Sequence, residues 1–109
     1  MPEQIKSDPI IRDFLRQISR WRPDIRHLIV FGSRARGNAR PDSDYDILVV
    51  LPRRSREIED ALYDAVMDTL LDSGRLVSLK IFAKSEFDRL MKLSTPFMQQ
   101  IREEGVALE

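Results

Sequence analysis

The stretch FGSRARGNARPDSDYDILVV, residues 31–50, decides how this chain is read. The run ILVVL from Ile47 to Leu51 has strand composition, yet Asp44 and Asp46 stand at its head although aspartate is disfavoured in strands. Alternate strand side chains share a face, so Asp44 and Asp46 point one way while Tyr45 and Ile47 point the other. Two carboxylates about 7 Å apart on one face repel each other unless a cation lies between them. Mg²⁺ suits that place, because one or two carboxylates hold it while water and substrate phosphates complete its shell. Just upstream, Gly32 lets backbone approach a phosphate, Ser33 offers a hydroxyl and an N–H, and Arg34, Arg36 and Arg40 bring positive charge. The spacing points to a polyphosphate bound with metal.

Working outward, SDPIIRDFLRQISRW predicts a helix over about Pro9–Trp21, capped by Asp8 and ending near Pro23, with Ile10, Ile11, Phe14, Leu15 and Ile18 on one face. RHLIVF reads as a first strand that stops at Gly32, and DYDILVVL as a second, closed by Pro52. Between Ser55 and Ser73 the residues Ile58, Ala61, Leu62, Ala65, Val66, Thr69 and Leu70 recur at helical spacing, and Gly74 ends that helix. LVSLKIF alternates as a third strand, with Val77, Leu79 and Ile81 on one side and Ser78 and Lys80 on the other. SEFDRLMKL opens on a capping-box pattern, Ser85 with Asp88. TPFMQQIREEG starts on a cap followed by proline and stops at Gly105, after which VALE adds a short edge strand.

About a dozen residues between the first two strands allow an antiparallel pair or a tight crossover, whereas the long helix before the third permits a parallel crossover. The expected fold class is α/β (α+β): a small mixed sheet covered by helices, in a single domain over residues 1–109. If the first two strands are antiparallel, Gly32 and Ser33 meet Asp44 and Asp46.

Bulk composition narrows the function classes. The chain has 109 residues, 42% hydrophobic and 33% charged, with a formal net charge of zero, which argues against a nucleic-acid coat or a membrane-surface binder. It has no cysteine, so disulfides and thiolate metal sites are excluded. The opening MPEQIKSDPIIRDF has no signal-peptide core, and no run of about 20 apolar residues occurs, so a cytoplasmic location is expected.

Taken singly, each site feature has an ordinary structural explanation: a glycine-serine pair suits any strand-to-helix turn, and Asp44 could cap a turn after RPDS. Taken together, with two aspartates on one strand face, they favour function. GSRARGNARPDSDYD resembles the signature of the nucleotidyltransferase superfamily that includes DNA polymerase beta, in which glycine-serine is followed by an aspartate, any residue, and aspartate. Its short, arginine-rich form is similar to the minimal nucleotidyltransferases of bacteria and archaea, a likeness extending into STPFMQQIREEGVALE. The resemblance implies the polymerase beta palm-like fold and transfer of a nucleoside monophosphate, AMP from ATP, to an acceptor hydroxyl with two Mg²⁺ ions. By the same resemblance Gly32, Ser33, Arg34 and Arg36 bind the nucleotide, and Asp44 and Asp46 ligate metal and carry catalysis. It further implies a HEPN-domain toxin as partner, with this chain as the antitoxin.

Catalytic members of the superfamily usually carry a third carboxylate on the next strand, and if strand three is parallel to strand two the corresponding position is Ser78, with Lys80 next on that face. Protonated lysine cannot ligate Mg²⁺. Asp64, Asp68 and Glu86 read as surface charges. Two alternatives follow: a catalytically degenerate module that neutralises its partner by complex formation, and a small nucleic-acid-binding domain using Arg34, Arg36, Arg40, Arg53, Arg54 and Arg56. So small a chain has little room for an acceptor-binding domain, which places the acceptor at an interface with a partner or a second copy. His27, Trp21, Phe97 and Met98 read as structural.

Overall fold

The computed structural model describes residues 5–108. Helix α1 (Pro9–Gln17) begins as the sequence requires: Asp8 Oδ1 accepts hydrogen bonds from the N–H groups of Ile10 and Ile11 (2.8 and 3.4 Å), and Pro9 fills the first turn. It is shorter than expected. From Ser19 to Asp24 the chain tightens into a 3-10 helix that contains Pro23. Proline lacks the N–H an α-helix would need at that point and its ring crowds the carbonyl four residues back, so α geometry cannot persist. Trp21 therefore lies off α1, half-buried, with the Arg20 guanidinium 4.9 Å from its ring centre.

Strand β1 (His27–Phe31) is followed by the short helix α2 (Ser33–Arg36), then β2 (Tyr45–Leu51). Helix α3 (Arg56–Ser73) starts on Ser55, whose hydroxyl accepts from the Ile58 N–H at 3.3 Å, and ends at Gly74 in the left-handed conformation. Strand β3 (Val77–Ala83), helices α4 (Lys84–Met91) and α5 (Pro96–Glu104), and strand β4 (Val106–Ala107) complete the order. Helix α4 departs from expectation at its start. The Ser85–Asp88 box does not form: the cap lies two residues earlier at Ala83, whose N–H donates to Glu86 Oε1 at 2.8 Å, and Asp88 instead accepts from Lys84 Nζ at 2.7 Å. A neighbouring ammonium competes better for a carboxylate than a backbone amide does. Thr95 caps α5 as expected.

The sheet runs β3-β2-β1-β4, with β1 antiparallel to β2 and β4, and β2 parallel to β3. This mixed order follows from the connections: a short segment returns the chain beside β1, while α3 spans the sheet and lets β3 run alongside β2. One face of the sheet, with Leu28, Val30, Tyr45, Ile47, Val49 and Val77, packs under Ile11, Phe14 and Leu62 of α1 and α3. On the opposite face Phe31, Leu48 and Val50 pack against Phe87, Met98 and Ile101 of α4 and α5. Val49, Val50, Leu48 and Ile47 are fully buried, which is why β2 reads as a near-continuous apolar run rather than an alternating one. Burying each such side chain contributes roughly 1.5–3 kcal/mol, enough to hold the polar head of β2 in a fixed position.

Candidate active site

The antiparallel register pairs Phe31 with Asp46, so the end of β1 delivers Gly32 to the carboxylate. Gly32 has φ 77° and ψ −158°, a region closed to residues with a side chain. A Cβ there would overlap Asp46 Oδ2. Only glycine allows the backbone after β1 and the carboxylate to share this space. Ser33 follows as the first residue of α2, half-exposed, with no hydrogen bond to its hydroxyl among the described residues.

Asp44 is exposed just before β2, and Asp46 is half-buried within it. Burial and the negative charge of Asp44 raise the Asp46 carboxyl above the usual aspartate range, while Lys80 and Arg36 pull it partly back. The two aspartates thus sense each other's charge, and a cation between them would relieve it. Among the described residues no group of three histidine, cysteine, aspartate or glutamate side chains forms a metal cage. Two carboxylates with substrate phosphates nonetheless fit Mg²⁺, which is commonly held that way.

The parallel register sets Ser78 beside Asp46, and Lys80 beside Leu48 on the same face. Where a third carboxylate was sought, the chain has a hydroxyl and then an ammonium. Arg36 pairs with Glu104 of α5 at 3.0 Å and bears electrostatically on Asp46, so it lies at the rim of the site.

The Arg34 side chain is engaged by the chain itself. Its guanidinium donates to the carbonyl oxygens of Ser43 (2.8 and 3.3 Å) and Pro41 (3.1 Å), and lies 4.2 Å from the centre of the Tyr45 ring. The Arg40–Ser43 turn is closed by the Ser43 N–H donating to the Arg40 carbonyl at 3.0 Å. Arg34 therefore clamps this turn to the start of β2 and fixes the approach to Asp44. Arg40 is exposed on the turn. Arg54, beyond β2, is spent on Glu59 at 2.6 Å and Glu86 at 3.7 Å.

Asp8, the cap of α1, and Tyr45, an inward position of β2, also meet each other. Tyr45, between the aspartates but facing the other side, donates its phenol O–H to Asp8 Oδ2 at 2.9 Å. Burial, then the hydrogen bond and charge of Asp8, push the Tyr45 phenol up to about 12, so it stays protonated. The available signal was the tyrosine itself: a buried phenol needs a partner.

A family model described as nucleotidyltransferase domain matches residues 9–107. The chain belongs to the nucleotidyltransferase domain family. This nucleotidyltransferase is 29% identical over 109 residues to a protein of Methanocaldococcus jannaschii, covering 95% of this chain and 99% of that one. The relative's name gives it, as an assignment only, as protein adenylyltransferase MJ0604. Among solved structures, a toxin-antitoxin complex with AMP-PNP contains a chain of the same fold, with TM-score 0.54 and 22% identity over 92% of this nucleotidyltransferase and 70% of that chain. A variant of the MntA–HpeT toxin-antitoxin complex gives TM-score 0.55 and 23% identity, over 91% and 68%. At these identities the two structures establish the fold.

Proposed function

We propose that this nucleotidyltransferase moves AMP from ATP onto a hydroxyl of a protein acceptor, with Mg²⁺ held by Asp44 and Asp46, and serves as the cytoplasmic antitoxin of a HEPN-domain toxin. The observation that carries the reading is the fit of Gly32 against Asp46, which sets an open backbone turn beside a metal-binding carboxylate. The adenylyltransferase name of the archaeal relative and the AMP-PNP in a structural neighbour support adenine and a protein acceptor. The toxin-antitoxin complexes among those neighbours support the partner.

In the reaction the acceptor hydroxyl gives up its proton to solvent water, a bond forms between its oxygen and the α-phosphorus, the bond from that phosphorus to the bridging oxygen of the β-phosphate breaks, and pyrophosphate leaves with that oxygen. Gly32 and Ser33 hold the triphosphate through backbone N–H and hydroxyl, and Asp44 and Asp46 would hold the Mg²⁺ ion beside it. When bound, Mg²⁺ neutralises charge developing on the phosphate oxygens. Arg36 adds fixed positive charge at the rim, while Arg34 acts indirectly by holding the turn before Asp44.

Labelled ATP and Mg²⁺, incubated with this protein and the product of the adjacent open reading frame, test the reading. Label is expected on the partner, and none with Asp44→Asn and Asp46→Asn together. Ser78 beside Asp46 favours one rival, a degenerate module that neutralises by binding alone. Under that rival the double variant still neutralises the toxin and no label moves.

A further inference from the structure

Helix α3 carries two apolar faces, and the fold uses one. Leu62, Ala65 and Thr69 are buried toward the sheet and Ile58 and Val66 pack beside them, which accounts for the crossover between β2 and β3. Tyr63, Met67 and Leu71 point elsewhere: they are 52%, 53% and 75% exposed. Their four-residue spacing sets them one above the next, so they form a continuous outer ridge along two turns. Nothing in the core requires large apolar side chains there.

A second ridge runs beside the first. Asp60, Asp64, Asp68 and Asp72 are all exposed and also recur every four residues. Asp60, Asp64 and Asp68 each stand three positions before Tyr63, Met67 and Leu71, which makes each a direct neighbour of one apolar side chain. None of the four aspartates enters an ion pair among the described residues. Like charges at this spacing repel along a helix, so the free protein carries a strain that a cationic partner relieves.

We infer that the outer face of α3 is a docking surface for a helix of the protein partner, one that presents an apolar ridge bordered by lysine or arginine. Charge selects this occupant. A second copy of the same face would bring two acidic ridges together, and a nucleic acid or an anionic membrane would be repelled. The surface lies on the layer formed by α1 and α3, whereas Asp46 shares its face with Leu48 and Val50 under α4 and α5. A partner gripped at α3 leaves the nucleotide site open, so binding and transfer are separable. The inference rests on the proposed toxin partner and names the surface that holds it.

The test measures binding of the product of the adjacent open reading frame, the candidate partner, to the full chain by calorimetry. Met67→Glu with Leu71→Glu, and separately Asp64→Lys with Asp68→Lys, should each weaken binding about tenfold or more. The lysine pair should also flatten the loss of affinity between low and high salt. Asp44→Asn with Asp46→Asn should bind like the wild type. Because all four α3 positions are exposed, unchanged melting temperatures are expected, and any variant that melts early is replaced by Met67→Ser with Leu71→Ser. Wild-type binding that both α3 pairs leave intact overturns the docking surface alone. Failure of the wild type to bind at all overturns the partner reading beneath it. Concentration-dependent self-association of the wild type, abolished by the glutamate pair, would assign the face to a second copy and overturn the inference.

Discussion

Asp46 and Ser78 stand side by side across the parallel ladder between β2 and β3, so the residue beside the Asp46 carboxylate is a hydroxyl. Ser78→Asp would place a third carboxylate there. Mn²⁺, used as a Mg²⁺ surrogate, should bind about tenfold tighter to this variant by calorimetry, a gain of ~1.4 kcal/mol. The same variant without metal should melt lower, because it adds a like charge beside Asp46. Unchanged Mn²⁺ affinity would show that Ser78 does not face the bound ion.

Gly32→Ala tests the close approach of backbone and carboxylate. Its φ of 77° already strains any side chain, costing about 1–3 kcal/mol, and the added methyl overlaps Asp46. Denaturant unfolding should show at least that loss, and Mn²⁺ binding should fall further than stability does. Gly105→Ala is the control: its Cβ would meet the Ile101 carbonyl at 2.5 Å and Ile29 Cγ2 at 2.8 Å, so stability falls through packing while metal binding survives.

Tyr45→Phe removes one hydrogen bond and leaves Asp8 Oδ2 without its donor. Destabilisation of about 1 kcal/mol is expected. Asp8→Ala should cost more, since the same side chain caps α1, with caps worth roughly 0.5–2 kcal/mol. In the wild type, ultraviolet titration should find one tyrosine that ionises only near pH 12, and a more ordinary phenol at that position would contradict the link to Asp8.

Asp46 gives a pH signature whose sign is opposite to that of a salt-bridged carboxylate. Its folded pKa is raised, so the native chain binds a proton that the unfolded chain has already released. Stability of the metal-free protein therefore declines as pH rises from the ordinary aspartate range through the Asp46 titration, and the full penalty remains at neutral pH. Asp46→Asn should melt higher than the wild type at neutral pH without metal, and the difference should vanish in acid. The acidic limb of Mn²⁺ binding in the wild type should likewise lie above that of an ordinary aspartate.

Much of this was legible along the chain. The strands β1, β2 and β3 and the helix α3 follow from β-branched runs, helical periodicity, Ser55 and Gly74, each a local signal. The short connection allows the antiparallel pairing that brings Gly32 to Asp46, and the long helix before β3 permits the parallel register that sets Ser78 beside it. The end of α1 was missed by four residues because Pro23 acts through the carbonyls behind it, and the Ser85–Asp88 box lost to a lysine one residue upstream.

The sequence by itself determined the strands β1, β2 and β3, the helix α3 and the glycine-serine and aspartate motif, because strand composition, helical periodicity and glycine's backbone freedom are properties of adjacent residues. Tertiary structure alone decided what the surrounding side chains do. The Arg34 guanidinium donates to the carbonyls of Pro41 and Ser43, and the Tyr45 phenol reaches Asp8 37 residues away. The reason is that a long polar side chain satisfies its hydrogen bonds with whatever the folded chain brings within reach, and that inventory exists only after the layers have packed.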